Sequence, residues 1–233
     1  MNEETKPLEE KQTKPKPIVT ILILVLILIV GASFRLMNNN WDESFHLHPD
    51  ERFLSQVITQ IRPVSSFSEY FDTNQSNLNP NTHGFTYFVY GTFPLFIIRY
   101  LGQWTNQLGY DLNTLLGREI SAVMDVWTIL LVFLIAFKLY NERVGLIAAA
   151  LYALAVLPIQ QSHFMTVDTF TNTFGMLTVL AAVHILTAPV VVLERKKAAS
   201  VFKILAPCVL FGLGLGMATA SKINAVSLAI LLP

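Results

Sequence analysis

Long apolar stretches separated by short polar connectors dominate this chain. After a polar opening of 16 residues, "PIVTILILVLILIVGASF" is apolar for long enough to cross a bilayer as a helix, which takes about 20 residues. Five more apolar segments follow: "ISAVMDVWTILLVFLIAF", "VGLIAAALYALAVLP", "TFTNTFGMLTVLAAVHILTAPVVVL", "VFKILAPCVLFGLGLGMATA" and "INAVSLAILLP". The pattern predicts an all-α polytopic membrane protein with about six transmembrane helices. A cleaved signal peptide is the rival reading of the first segment. Its apolar core would be only about 7–15 residues long and would end in a small-residue cleavage site, and this segment is longer and has no clean A-x-A site. An uncleaved first span is expected.

One stretch is ambiguous by pattern alone. Residues 84–104, "GFTYFVYGTFPLFIIRYLGQW", are rich in aromatics and contain Pro94 and Arg99. They read either as a span or as a helix lying along the interface. Positive charge decides between the two, because cytoplasmic loops collect Lys and Arg. The short connectors carry Lys138 with Arg143, and Arg195 with Lys196 and Lys197. Both fall on the side of the N-terminal tail only if residues 84–104 do not span. The expected organisation is therefore a disordered cytoplasmic tail (1–16), a first transmembrane helix (17–37), a large extracytoplasmic loop with interfacial helices (38–117), and a truncated transmembrane bundle (118–233). The tail has four Lys, four Glu, two Pro and no aromatic residue, a composition that cannot build a core.

Composition sharpens this picture. The chain of 233 residues is 53% hydrophobic and 14% charged, well below the roughly 25% charged residues of soluble domains. A formal net charge of zero argues against a nucleic-acid partner. The one cysteine, Cys208, lies in an apolar run and reads as a small packing residue. The last residues, "VSLAILLP", stop inside an apolar segment, so the sequence is expected to be the N-terminal part of a longer chain.

In that topology the ionisable clusters share one membrane face. "FHLHPDERF" follows the first span, with His46, His48, Asp50, Glu51 and Arg52. Adjacent residues on a helix point about 100° apart, so Asp50 and Glu51 do not share a proton; one can face a pocket while the other braces a neighbour. Pro49, Asp50 and Glu51 also suit the first turn of a helix. A carboxylate beside a desolvated surface can serve as a general base. His163 and Asp168 lie at the outer end of the third apolar segment, where Thr166 or Asp168 could cap the next helix. With His46, His48, Asp50 and Glu51 they could hold a divalent metal, magnesium or manganese in preference to zinc. Arg118, Ser121 and Asp125 fall on one face of the second span. Arg118 could hold a phosphate or snorkel to the headgroups, and Lys222, after "GLGLGMATAS", could do either as well.

Together these features resemble the type C glycosyltransferases, integral-membrane enzymes with a polyprenyl-phosphate sugar donor, and in particular the protein O-mannosyltransferase and aminoarabinose transferase groups. The residues that carry the resemblance are "HPDERF", "GREISAVMD", "PIQQSHFMTVDTF" and "GLGLGMATASK", and it covers nearly the whole chain after residue 17. The Asp-Glu pair is its most specific element. The resemblance implies that Asp50 is the catalytic carboxylate with Glu51 beside it, and that Asp168 is the acidic residue of the second outer loop. It implies that Arg118 and Lys222 face the lipid-linked phosphate, with His48, Arg52, His83 and His163 in support. "NPNTHGF", with His83, resembles the second juxtamembrane element, although the usual His-Pro-Pro is missing. The implied enzyme is a multi-pass protein of the cell membrane that moves a sugar to the hydroxyl of a protein, lipid or glycan acceptor. Its N-terminus would be cytoplasmic and its active site extracytoplasmic. An ion-coupled transporter is the alternative, and would place its charges near the midplane; a non-catalytic scaffold is a third reading.

Overall fold

A computed structural model describes residues 17–188 and 198–231. The tail 1–16 and the connector with Arg195, Lys196 and Lys197 lie outside the described residues. Every regular element among the described residues is helical. These are α1 (Pro17–Leu36), α2 (Pro49–Gln60), α3 (Phe67–Phe71), a 3₁₀ turn (Pro80–His83), α4 (Phe93–Trp104), α5 (Tyr110–Leu139), α6 (Glu142–Ala153), α7 (Val156–Ser162), α8 (Val167–Leu186), α9 (Ala198–Ser221) and a 3₁₀ segment (Ile223–Leu231).

Three of these, α1, α5 and α8, are long and apolar enough to cross a membrane. The pair α6 and α7, bent by 58° at their junction, makes a fourth if counted as one span. Pro158 accounts for the bend. It has no N–H for the carbonyl of Leu154, and its ring crowds that carbonyl, so the helix breaks and restarts with Pro158 in the first turn of α7. The six spans expected from hydrophobicity are therefore three or four among the described residues. The described apolar part of α9, Leu205–Ser221, is shorter than a span, and residues 223–231 wind as a 3₁₀ helix.

Residues 84–104 do not form a spanning helix. They fold as an irregular segment leading into α4, whose 12 residues reach only about 18 Å. The spans turn apolar side chains outward, as on α1, where Ile18, Leu22, Leu26 and Ile29 are exposed.

Polar contacts fix how the helices stack. Near the start of α1, Thr20 donates to Glu142 of α6 at 3.1 Å. At the other end of α1, Arg35 donates to Asp125 of α5 at 2.6 Å and to the carbonyl of Ala153 at the end of α6 at 2.9 Å. Thus α1 and α6 run parallel, with α5 between them in sequence returning the other way. Tyr152 donates to the second oxygen of Asp125 at 2.7 Å and accepts from Asn172 of α8 at 2.7 Å. This network joins four helices through side chains that would each be costly to bury alone.

Over the end where α1 finishes and α5 and α8 begin sits a cap made of α2 and α4. Leu54, Val57, Ile58 and Ile61 are buried along one face of α2 at the spacing of an amphipathic helix. They pack on Leu95 and Ile98 of α4 and on Met165 and Phe170 before and within α8. Ser55 meets Thr114 of α5 at 2.6 Å beneath that face.

Candidate functional site

The start of α2 is built as its sequence suggests. Pro49 occupies the first turn, His48 caps it by accepting the N–H of Glu51 at Nδ1 (3.3 Å), and the ring of His48 stacks 4.3 Å from Phe164. From that turn the two acids diverge. Glu51 points inward and is 0% exposed, whereas Asp50 is half-buried on the other side.

Glu51 meets Arg118 of α5, itself 1% exposed. Arg118 Nε donates to Oε1 at 2.8 Å and Nη2 to Oε2 at 2.6 Å. The remaining donors go to Asp42, at 3.0 Å from Nη1 and 2.8 Å from Nη2, and to the carbonyl of Asn39 at 2.8 Å. A guanidinium has five N–H donors, and all five are used. The Trp41 ring lies under it, 5.6 Å from its carbon. Hydrogen bonds from Arg118, opposed by burial and aided by the Leu47 N–H, hold the Asp42 carboxyl down at about 2. Glu51 Oε1 also accepts the N–H of Met165 at 2.7 Å, which ties the start of α8 to α2. Arg118, expected at a donor phosphate, thus spends its whole hydrogen-bonding capacity inside the protein. Sequence reasoning missed Asp42 and Trp41, which sit in a polar loop with no periodic signal.

Asp50 belongs to a second group. Tyr90 lies against it; burial first, then interaction with Asp50 and the charge of Asp168, push the Tyr90 phenol up. Asp168, in the first turn of α8, is paired with Lys222 at 2.6 Å, and their side chains are 45% and 40% exposed. Gly91 explains how these four meet. Its N–H donates to the carbonyl of Ser221 at 3.1 Å, and a Cβ there would lie 2.1 Å from the carbonyl oxygen of Ala220. Only glycine lets the two backbones approach so closely, and the approach sets Tyr90 beside the end of α9 that carries Lys222. Asp50, Tyr90, Asp168 and Lys222 therefore come from four separate segments to one partly open place. Tyr90 was not foreseen; a Tyr-Gly step in an aromatic stretch gives no signal by pattern.

The other expected residues lie around this group or apart from it. Arg52 is exposed, and its backbone carbonyl accepts from Tyr110 at 3.3 Å. His83 points Nε2 at the carbonyl of Asn77, 2.9 Å away, within its own loop. Both nitrogens of His163 face carbonyls, Ile159 at 2.8 Å and Met37 at 3.0 Å, so the ring pins α7 to the end of α1. His46 faces Asp111 at 2.7 Å. Among the described residues no three of His, Cys, Asp and Glu gather as a metal ion requires.

A cavity of about 300 Å³ is lined by Asp168 together with Asp125, Tyr152, Gln161, Thr169 and Asn172 among others. No family model matches the chain, and neither does any curated protein or solved structure.

Proposed function

We propose that the chain acts as a membrane glycosyltransferase that moves a sugar from a polyprenyl-phosphate donor to an acceptor hydroxyl at the extracytoplasmic membrane face. The observation that carries this reading is the division of labour between adjacent acids. Glu51 is sealed onto Arg118, while Asp50 makes no ion pair among the described residues and sits beside Tyr90 and the Asp168–Lys222 pair.

In the proposed reaction Asp50 accepts the proton of the acceptor hydroxyl. That oxygen forms a bond to the anomeric carbon as the bond from this carbon to the phosphate oxygen breaks. The electron pair leaves with the polyprenyl phosphate, and attack opposite the phosphate inverts the anomeric centre. The leaving group is already a stable anion, so it needs a cation more than an acid. Lys222, with its partly exposed ammonium, supplies it, and Asp168 aims that ammonium. Arg118 positions rather than binds: it holds Glu51, and with it the turn that presents Asp50.

The test is transfer by the full-length protein in membranes supplied with a panel of radiolabelled polyprenyl-phosphate sugars. Asp50→Asn is expected to lower transfer by about 10²-fold or more while insertion is unchanged, the scale of a lost general base. Undiminished transfer in Asp50→Asn would remove Asp50 as the base. The cavity at Asp125, Tyr152 and Asn172 favours a second reading, an ion-coupled transporter. In that case Asp50→Asn would uncouple flux measured in proteoliposomes, and no donor would be consumed.

A further inference from the structure

Three arginines are buried among the described residues, Arg35, Arg99 and Arg118. Arg35 has Asp125 and Arg118 has Glu51 and Asp42. Arg99 has no acceptor at all among the described residues. It is 8% exposed on the inner face of α4, with Leu95, Ile98 and Gly102. Its Nε is sealed from solvent and unbonded, while its two terminal nitrogens, also unbonded, keep some accessible surface. The guanidinium thus ends as an open fork at the mouth of its own burial site.

The charge that acts on it has the same sign as its own. Arg62, exposed just beyond α2, repels Arg99 and adds to the effect of burial in pushing its pKa down. Arg62 is held in place by its backbone N–H, which donates to Asn77 at 2.9 Å, and by the packing of Ile61 on α4. A buried cation without a partner costs several kcal/mol. The exposed Arg62 adds its positive charge to that of the buried Arg99, and together they call for an anion. A planar fork with free N–H groups fits the oxygens of a phosphate. The same helix carries Tyr100 and a strongly exposed Trp104, side chains that settle at headgroup depth. The place is separate from the carboxylate group: α2 is 12 residues long, so Asp50 and Arg62 at its two ends stand roughly 18 Å apart.

We propose that Arg62 and Arg99 form a binding site for a phosphate-type oxyanion, distinct from the Asp50 group. The oxyanion is either a lipid headgroup phosphate or free phosphate. The full chain, in uncharged detergent, is titrated with dihexanoyl-phosphatidic acid, inorganic phosphate and, as control, dihexanoyl-phosphatidylcholine, with binding read by native mass spectrometry and melting temperature. Saturable binding of the phosphatidic acid is expected, weakened at least tenfold in Arg62→Gln and in Arg99→Gln and unchanged in Lys138→Gln, a variant of an exposed lysine at the far end of α5. Inorganic phosphate that competes identifies a site for the free ion, and phosphate that fails to compete identifies a headgroup site. Arg62, being exposed, keeps the test valid if Arg99→Gln does not fold. Binding equal to that of phosphatidylcholine, or binding lost in Lys222→Gln but kept in Arg62→Gln, would overturn the proposal.

Discussion

Arg118 and Glu51 face each other through two parallel hydrogen bonds of 2.8 and 2.6 Å, both side chains sealed from solvent. Charged pairs in this geometry contribute little when compared with a well-packed apolar pair, yet losing one partner leaves the other stranded. Glu51→Gln is therefore expected to destabilise the folded protein by about 3–5 kcal/mol. Arg118→Lys should cost a similar amount, because one ammonium cannot reproduce the planar fork that reaches Glu51, Asp42 and Asn39 together. Thermal unfolding of the purified variants in detergent checks both, and a melting temperature within a degree of wild type in either variant would refute the account.

The neighbouring acid should behave in the opposite way. Asp50 has no ion pair to lose among the described residues, so Asp50→Asn is expected to melt like wild type while transfer falls by about 10²-fold. Tyr90→Phe, which removes the hydroxyl beside Asp50 and leaves the ring, should lower transfer by about tenfold with no loss of stability. A pair of variants that failed together, in stability as well as in transfer, would mean that both acids are structural.

Asp42 gives the pair a pH signature. Its folded pKa of about 2 lies below its ordinary 3.8. The lowered value means that the folded state favours the carboxylate. The stability this adds is present above the unfolded pKa and is lost as pH falls from about 4 through about 2. Wild type should lose melting temperature across that window, and Asp42→Asn, already less stable, should lose less.

These residues show how much could be read from the sequence and where reading stops. Pro49, Asp50 and Glu51 announced the start of α2, and the apolar runs announced α1, α5 and α8. Hydrophobicity gave six apolar segments, of which three or four are candidate spans among the described residues, because it does not register the bend before Pro158 or the 3₁₀ winding after Ile223. Arg118 looked free because periodicity relates residues on one helix. It is silent about Asp42, which reaches Arg118 from a loop 76 residues earlier in the chain. Tyr90 was hidden for the same reason: its place depends on Gly91 meeting α9 far along the sequence.

Gly91 offers a sharp test of that dependence. A methyl group there meets backbone oxygens of Ala220 and Ser221 at 2.1 and 2.3 Å, which no side-chain rotation relieves. Gly117 is also crowded, but its nearest atom is Cγ of Met165 at 2.2 Å, on a flexible side chain. Gly117→Ala should therefore cost about 1–3 kcal/mol, and Met165→Ala in the same protein should return part of that loss. Gly91→Ala has no such second-site remedy. It should separate Tyr90 from Lys222 and abolish transfer even where the protein still inserts. Transfer retained in Gly91→Ala would show that the carboxylate group does not need the contact between this segment and α9.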